Sequence, residues 1–283
     1  TFGVLGNKTF EDAPFTVSAT ASSSLPVSYS IVSGPATVSG NTVILTGAGT
    51  VVVRASQAGD ASYNAATPGD QSFTVAKANQ TIAFDVLANK ATTDPAFTVS
   101  ATASSGLPVS YSIVSGPASI SGNTITLAGT AGTVVVRAAQ AGDANYNAAA
   151  VEQSFGVGKV NQTIAFGAQG NKTFGDAQFT VSATASSGLS PSFSIASGPA
   201  TTSGNTVTLT GAGTVVVRAS QAGDATYNAA TPVDQSFTVA KASQALTFGV
   251  LPNKATTDPA FAVSATASSG LSVSFSIVSG PAS

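Results

Sequence analysis

The chain has no cysteine, histidine, methionine or tryptophan in its 283 residues. Without cysteine no disulfide can staple a fold, so each folded unit must be held by its core alone. Lacking both histidine and cysteine, the chain also has none of the commonest metal ligands, catalytic bases and nucleophiles. It reads as non-enzymatic, with no cofactor. Charge is scarce as well: 8% of residues are charged and the formal net charge is −2. The ten Lys and Arg are scattered singly, so there is no basic patch to neutralise phosphates, and nucleic-acid binding is excluded. Apolar runs are short, as at Val51-Val52-Val53, far below the roughly 20 residues that span a bilayer as a helix. No signal peptide is visible, and no membrane insertion is expected of this stretch. The hydrophobic fraction, 43%, is nevertheless too high for a disordered chain.

What the chain does contain is repetition. The stretch Phe97 to Ala118 reads FTVSATASSGLPVSYSIVSGPA, and its opening phenylalanine recurs at Phe15, Phe179 and Phe261. Its closing Ser-Gly-Pro recurs from Ser33, Ser197 and Ser279, again at steps of 82 residues. A fixed period of this kind is the signature of a tandem array. The expected domains are residues 1–78 (first strand truncated), 79–160, 161–242, and an N-terminal half repeat at 243–283. The first residue lies inside a repeat and the last falls midway through another, so the chain reads as a fragment of a longer protein.

Within the stretch Phe97, Val99, Ala101 and Ala103 alternate with Thr98, Ser100 and Thr102, and Val109, Tyr111 and Ile113 alternate with Ser110 and Ser112. Apolar and hydroxyl side chains at period two describe strands with one buried and one wet face. Gly122-Asn123 between alternating arms predicts a tight hairpin, and Thr133 to Arg137 is the most hydrophobic strand. Counting onward gives about seven short strands in each 82-residue copy, with Gly/Pro/Asn punctuation and no helical period. The expected fold is all-β: tandem immunoglobulin-like antiparallel sandwiches arranged end to end. Phe84, Phe97, Tyr111, Tyr146 and Phe155 are the expected bulk of one core. The three-residue junctions Lys77-Ala78-Asn79, Lys159-Val160-Asn161 and Lys241-Ala242-Ser243 leave little freedom between copies.

Four strings occur in order at fixed spacing: QTIAF at 80–84, SGLPVSYSIVSGPA at 105–118, ISGNTITL at 120–127 and VVVRAAQAGDANYNAA at 134–149. Together they resemble bacterial immunoglobulin-like repeats, the tandem modules of large secreted or surface-attached adhesin-like proteins. The resemblance covers the whole chain. It implies an extracellular location on the bacterial cell surface and a stalk or spacer role, and it carries no catalytic residues.

Some residues invite a functional reading. Asp60, Asp143 and Asp224 share the loop Gln-Ala-Gly-Asp-Ala-x-Tyr-Asn. Each is a calcium candidate if Asp70, Glu152 or Asp234 joins it; each is equally an aspartate that bonds its own turn. A single carboxylate per loop favours the turn, so no metal is assigned. Lys8, Lys90, Lys172 and Lys254 precede Asp12, Asp94, Asp176 and Asp258 by four residues; the pair reads as a surface ion pair, with an isopeptide crosslink as the sharper alternative. Arg54, Arg137 and Arg218 close the valine strands as charges that guard against aggregation. Tyr63, Tyr146 and Tyr227 lie in loops and are the candidate loop contacts for a carbohydrate or host protein. Two functions remain: a spacer whose partners are neighbouring repeats, and a ligand-binding module that uses these loops.

Overall fold

A computed structural model describes residues 1–281. Every regular element among them is a strand, and no helix is long and apolar enough to cross a membrane. The chain divides into two compact units, Thr1–Val160 and Asn161–Ser283.

The second copy, in the first unit, shows why the sequence folds as it does. Thr124–Leu127 buries Ile125 completely while Thr126 faces solvent. Gly132–Gln140 does the same with Val134, Val136 and Ala138. Burying a Val or Ile side chain in full contributes about 1.5–3 kcal/mol, so the period-two pattern selects one face of each strand for the interior. Ala118–Ser121 and Thr124–Leu127 form the hairpin expected at Gly122-Asn123, with Ser121 opposite Thr124. Gly122 has φ +59, the conformation a II′ turn requires at its first central position.

Two sheets close over this core. One joins Ser110–Ser115, Gly132–Gln140, Ala149–Gly158 and Lys90–Ala91. The other joins Phe97–Thr98, Thr124–Leu127 and Ala118–Ser121. It is extended where Ala101–Ala103, the continuation of the Phe97 strand, pairs with Ile82–Phe84. Counting Phe97–Ala103 as one interrupted strand, the orders are 1-2-5-4 and 3-6-7, the immunoglobulin arrangement. The chain is thus an all-β array of tandem immunoglobulin-like sandwiches.

The pairing is not wholly antiparallel. Lys90–Ala91 runs parallel to Val157-Gly158 at the sheet edge. The first strand leaves one sheet after Phe84 and continues in the same direction on the other, where the last strand also runs that way. Asn89 fixes the crossing, its Oδ1 accepting from the Gly156 N–H at 2.7 Å.

The Ser-Gly-Pro motif has a steric cause. Gly116 has φ +103, and a Cβ there would lie 2.2 Å from the Thr133 carbonyl oxygen. It follows a register shift between Ile113 and Ser115, so the backbone turns off the sheet directly against the neighbouring strand.

The core is built from valine more than the aromatic count predicts. Phe84 and Phe155 are buried with Val99, Ile125, Val134, Val136, Ala138 and Val157, while Phe97 and Tyr111 are partly buried against them. Tyr146, expected in this core, is not part of it. The first copy repeats the arrangement around Val17, Val43, Val51, Val53, Phe73 and Val75.

In the second unit, Phe166, Val181, Val207, Val215, Val217, Ala219, Phe237 and Val239 form the same core between the same sheets. Downstream, Leu246–Phe248 pairs with Ala265–Ala267. Phe248, Phe261, Phe275 and Ile277 remain exposed there.

Candidate functional site

The three aspartate loops are built alike. Gly142 turns at φ +77, and a Cβ there would meet the Tyr146 carbonyl oxygen at 2.5 Å. Asp143 Oδ1 accepts from the Asn145 and Tyr146 N–H groups at 2.7 and 2.8 Å. Asp60 does the same for Ser62 and Tyr63, and Asp224 for Thr226 and Tyr227. Each carboxylate therefore folds its own loop. Asp70 and Asp234 are turned elsewhere: each forms a two-pronged pair, with Arg54 and Arg218 respectively, at 2.8 Å. The guanidinium hydrogen bonds hold both carboxyls below their ordinary value of 3.8. Arg137 faces Glu152 in register across the equivalent strands. Among the described residues no three His, Cys, Asp or Glu converge on a metal position.

The ordered loop of the second copy presents Tyr146 and Asn145 to the first copy. The Tyr146 ring packs edge-on against Phe10, with centroids 5.5 Å apart. Its hydroxyl donates to Glu11 Oε1, and that carboxylate pushes the phenol above its ordinary value of 10.0. Asn145 Oδ1 accepts from the Ala48 N–H at 3.0 Å and fills the space beside Gly47, where a Cβ would approach it to 2.9 Å. The linker joins in: the Ala78 N–H donates to the Asn145 carbonyl, and the Asn147 N–H donates to the Ala78 carbonyl. Lys77 Nζ caps the Asp143 carbonyl. Glu11 itself has φ +76, a left-handed conformation that a side chain with a Cβ rarely adopts.

Beneath this loop lies a polar plug. Gln80, 7% exposed, donates to Gln140 Oε1 at 2.5 Å and to the Asn147 carbonyl at 2.7 Å, and accepts from Ser105 Oγ. Gln162 repeats it with Gln221, Asn228 and Ser187. A buried carboxamide with all these partners anchors the first strand to the loop base.

The other candidates take unexpected places. Lys8, Lys90 and Lys172 lie over the rings of Phe15, Phe97 and Phe179 at 4.7 Å, and Lys254 lies over Phe261 at 5.2 Å. The aspartates three residues before those rings accept from turn N–H groups instead, as Asp94 does from Ala91 and Asp12 from Thr9. The expected surface ion pair is thus replaced by a cation on an aromatic face. Of the loop tyrosines, Tyr146 and Tyr227 are half-buried and Tyr63 is 55% exposed. Sequence reasoning missed Phe10, Glu11 and Ala48; the one visible signal was that Phe10-Glu11 stands where the next copy has Thr92-Thr93.

A cleft of about 360 Å³, lined by Thr1, Phe2, Thr20, Gln57 and Ala66 among others, opens at the end of the first copy.

No family model matches the chain, and no curated protein matches it. Among solved structures, Drosophila N-cadherin EC1-4 is similar over 85% of this chain and 72% of its own, at 13% identity and a TM-score of 0.30. Mouse cadherin-23 EC22-24 is similar over 85% of this chain and 94% of its own, at 16% identity and a TM-score of 0.31. A titin I-band fragment is similar over 86% of this chain and 98% of its own, at 13% identity and a TM-score of 0.30.

Proposed function

We propose that the chain is a structural spacer: non-enzymatic immunoglobulin-like repeats of an extracellular, adhesin-like bacterial surface protein that hold another domain away from its anchor. The observation that carries this reading is the junction inside the first unit. There the most elaborate loop of the second copy spends its aromatic ring, its asparagine and its backbone on the preceding copy. A loop used in this way sets the angle between repeats, which is what a spacer needs. The bacterial and cell-surface parts of the reading rest on the sequence resemblance.

Solution scattering tests it. A compact globule of this length has a radius of gyration near 19 Å, whereas end-to-end repeats of roughly 35–45 Å each give about twice that. A value near the globular figure overturns the spacer reading.

The exposed Tyr63 supports a second reading, in which its loop grips a carbohydrate or a host protein. Glycan-array binding lost in Tyr63→Ala, with folding intact, would establish it.

A further inference from the structure

The Phe10 platform recurs once more in the described residues. Asn171-Lys172-Thr173-Phe174 repeats Asn7-Lys8-Thr9-Phe10, while the other two copies read Asn89-Lys90-Ala91-Thr92 and Asn253-Lys254-Ala255-Thr256. The copies therefore alternate between two kinds, and the aromatic platform belongs to the first and third. Its geometry is the same in both. The Phe174 N–H donates to Ala240 O at 2.8 Å, as that of Phe10 does to Ala76 O. Asp176 bonds back to Thr173 as Asp12 does to Thr9. Gly175, at φ +96, takes the left-handed conformation that Glu11 adopts under strain.

The surroundings differ. Phe174 is 43% exposed. A Cβ on Gly211 would meet only Pro199, whereas one on Gly47 would also meet Asn145 Oδ1. The loop that fits this surface is that of the second copy, the one loop of the three with asparagine before its tyrosine; the others have Ser62 and Thr226.

We infer that Phe174, Gly211 and the Ala212 N–H form an interaction seat for the Gly-Asp-Ala-Asn-Tyr loop of a complete repeat of the second kind. The tyrosine ring packs on Phe174, and the asparagine carboxamide accepts from Ala212 beside Gly211. Gly175 supplies no carboxylate, so the seat works through ring and amide without the Glu11 hydrogen bond. This deepens the spacer reading and rests on it: alternate junctions are closed by an aromatic latch.

The test replaces residues 243–283 with an intact second copy of residues 79–160, whose core is complete. The linker Lys241-Ala242 then meets Asn79, as Lys77-Ala78 does now. Phe174→Trp gives the only tryptophan in either chain. Its acrylamide quenching should fall in the chimaera to the level of Phe10→Trp in the parent chain. It should return to the unlatched level when the added loop carries alanine for both Asn145 and Tyr146. Exchange protection of the Ala212 amide, read without any tryptophan, should follow the same order. A position 174 as exposed in the chimaera as in the parent chain, with Ala212 unprotected, overturns the inference. Scattering on the same samples separates the two claims: an extended chimaera with an exposed position 174 sinks the latch and leaves the spacer.

Discussion

Single side chains tie the two sheets together across the first and second cores. Tyr111 Oη accepts from the Ala101 N–H at 2.6 Å, and Tyr29 Oη accepts from Ala19 likewise, so strand three is fastened to strand two in the opposite sheet. The third copy has Phe193 here and lacks that bond. Tyr111→Phe should therefore cost about 1 kcal/mol in chemical denaturation with its ring packing kept, and Phe193→Tyr should recover a similar amount. On the surface, Asp70 is held below its ordinary value by Arg54. A carboxyl whose folded value is depressed contributes stability above the unfolded value, and loses it as pH falls through the folded one. The first copy should lose stability in acid below about pH 4, and Asp70→Asn should flatten that slope in pH-resolved melts. The alternation of apolar and hydroxyl residues made the buried faces legible at this scale. The partners of Asp70 and Lys90 were not legible, because period-two patterning sets neither the register between two strands nor the way a turn brings a lysine back over a ring.

At the scale of elements, the strands follow from period-two patterning, and the hairpin from Gly122-Asn123. The parallel edge at Lys90–Ala91 does not: two residues carry no usable period, and their pairing depends on which sheet the chain has reached. Ser-Gly-Pro was legible as a recurring motif, but its cause lies in Thr133, on a strand 17 residues further on. Gly116→Ala combines a positive φ with a backbone clash. It should destabilise by at least about 2 kcal/mol, seen as a lowered denaturation midpoint, whereas Gly122→Ala should cost less, because its positive φ is strained but a Cβ there meets nothing within 4 Å.

For the whole molecule, stability in a tandem array is the sum of each repeat and its neighbour interfaces. The first and second copies should unfold with coupled transitions because Tyr146, Asn145 and Ala78 bond them. Tyr146→Ala should separate those transitions in calorimetry while each core persists. The phenol is held above its ordinary value of 10.0 by Glu11. A raised folded value means the coupling is complete below the ordinary value and fades as pH rises through the raised one; Glu11→Gln should weaken that dependence, with burial and Asp143 left to hold the remainder. The sequence alone determined the period, the strands and the side of each that is buried, since alternation is a local consequence of the pleated backbone. Only the tertiary structure decided that Tyr146 leaves its own core to stand on Phe10 of the copy before it. That contact joins loops 136 positions apart, brought together by two independently closed sandwiches and the linker between them.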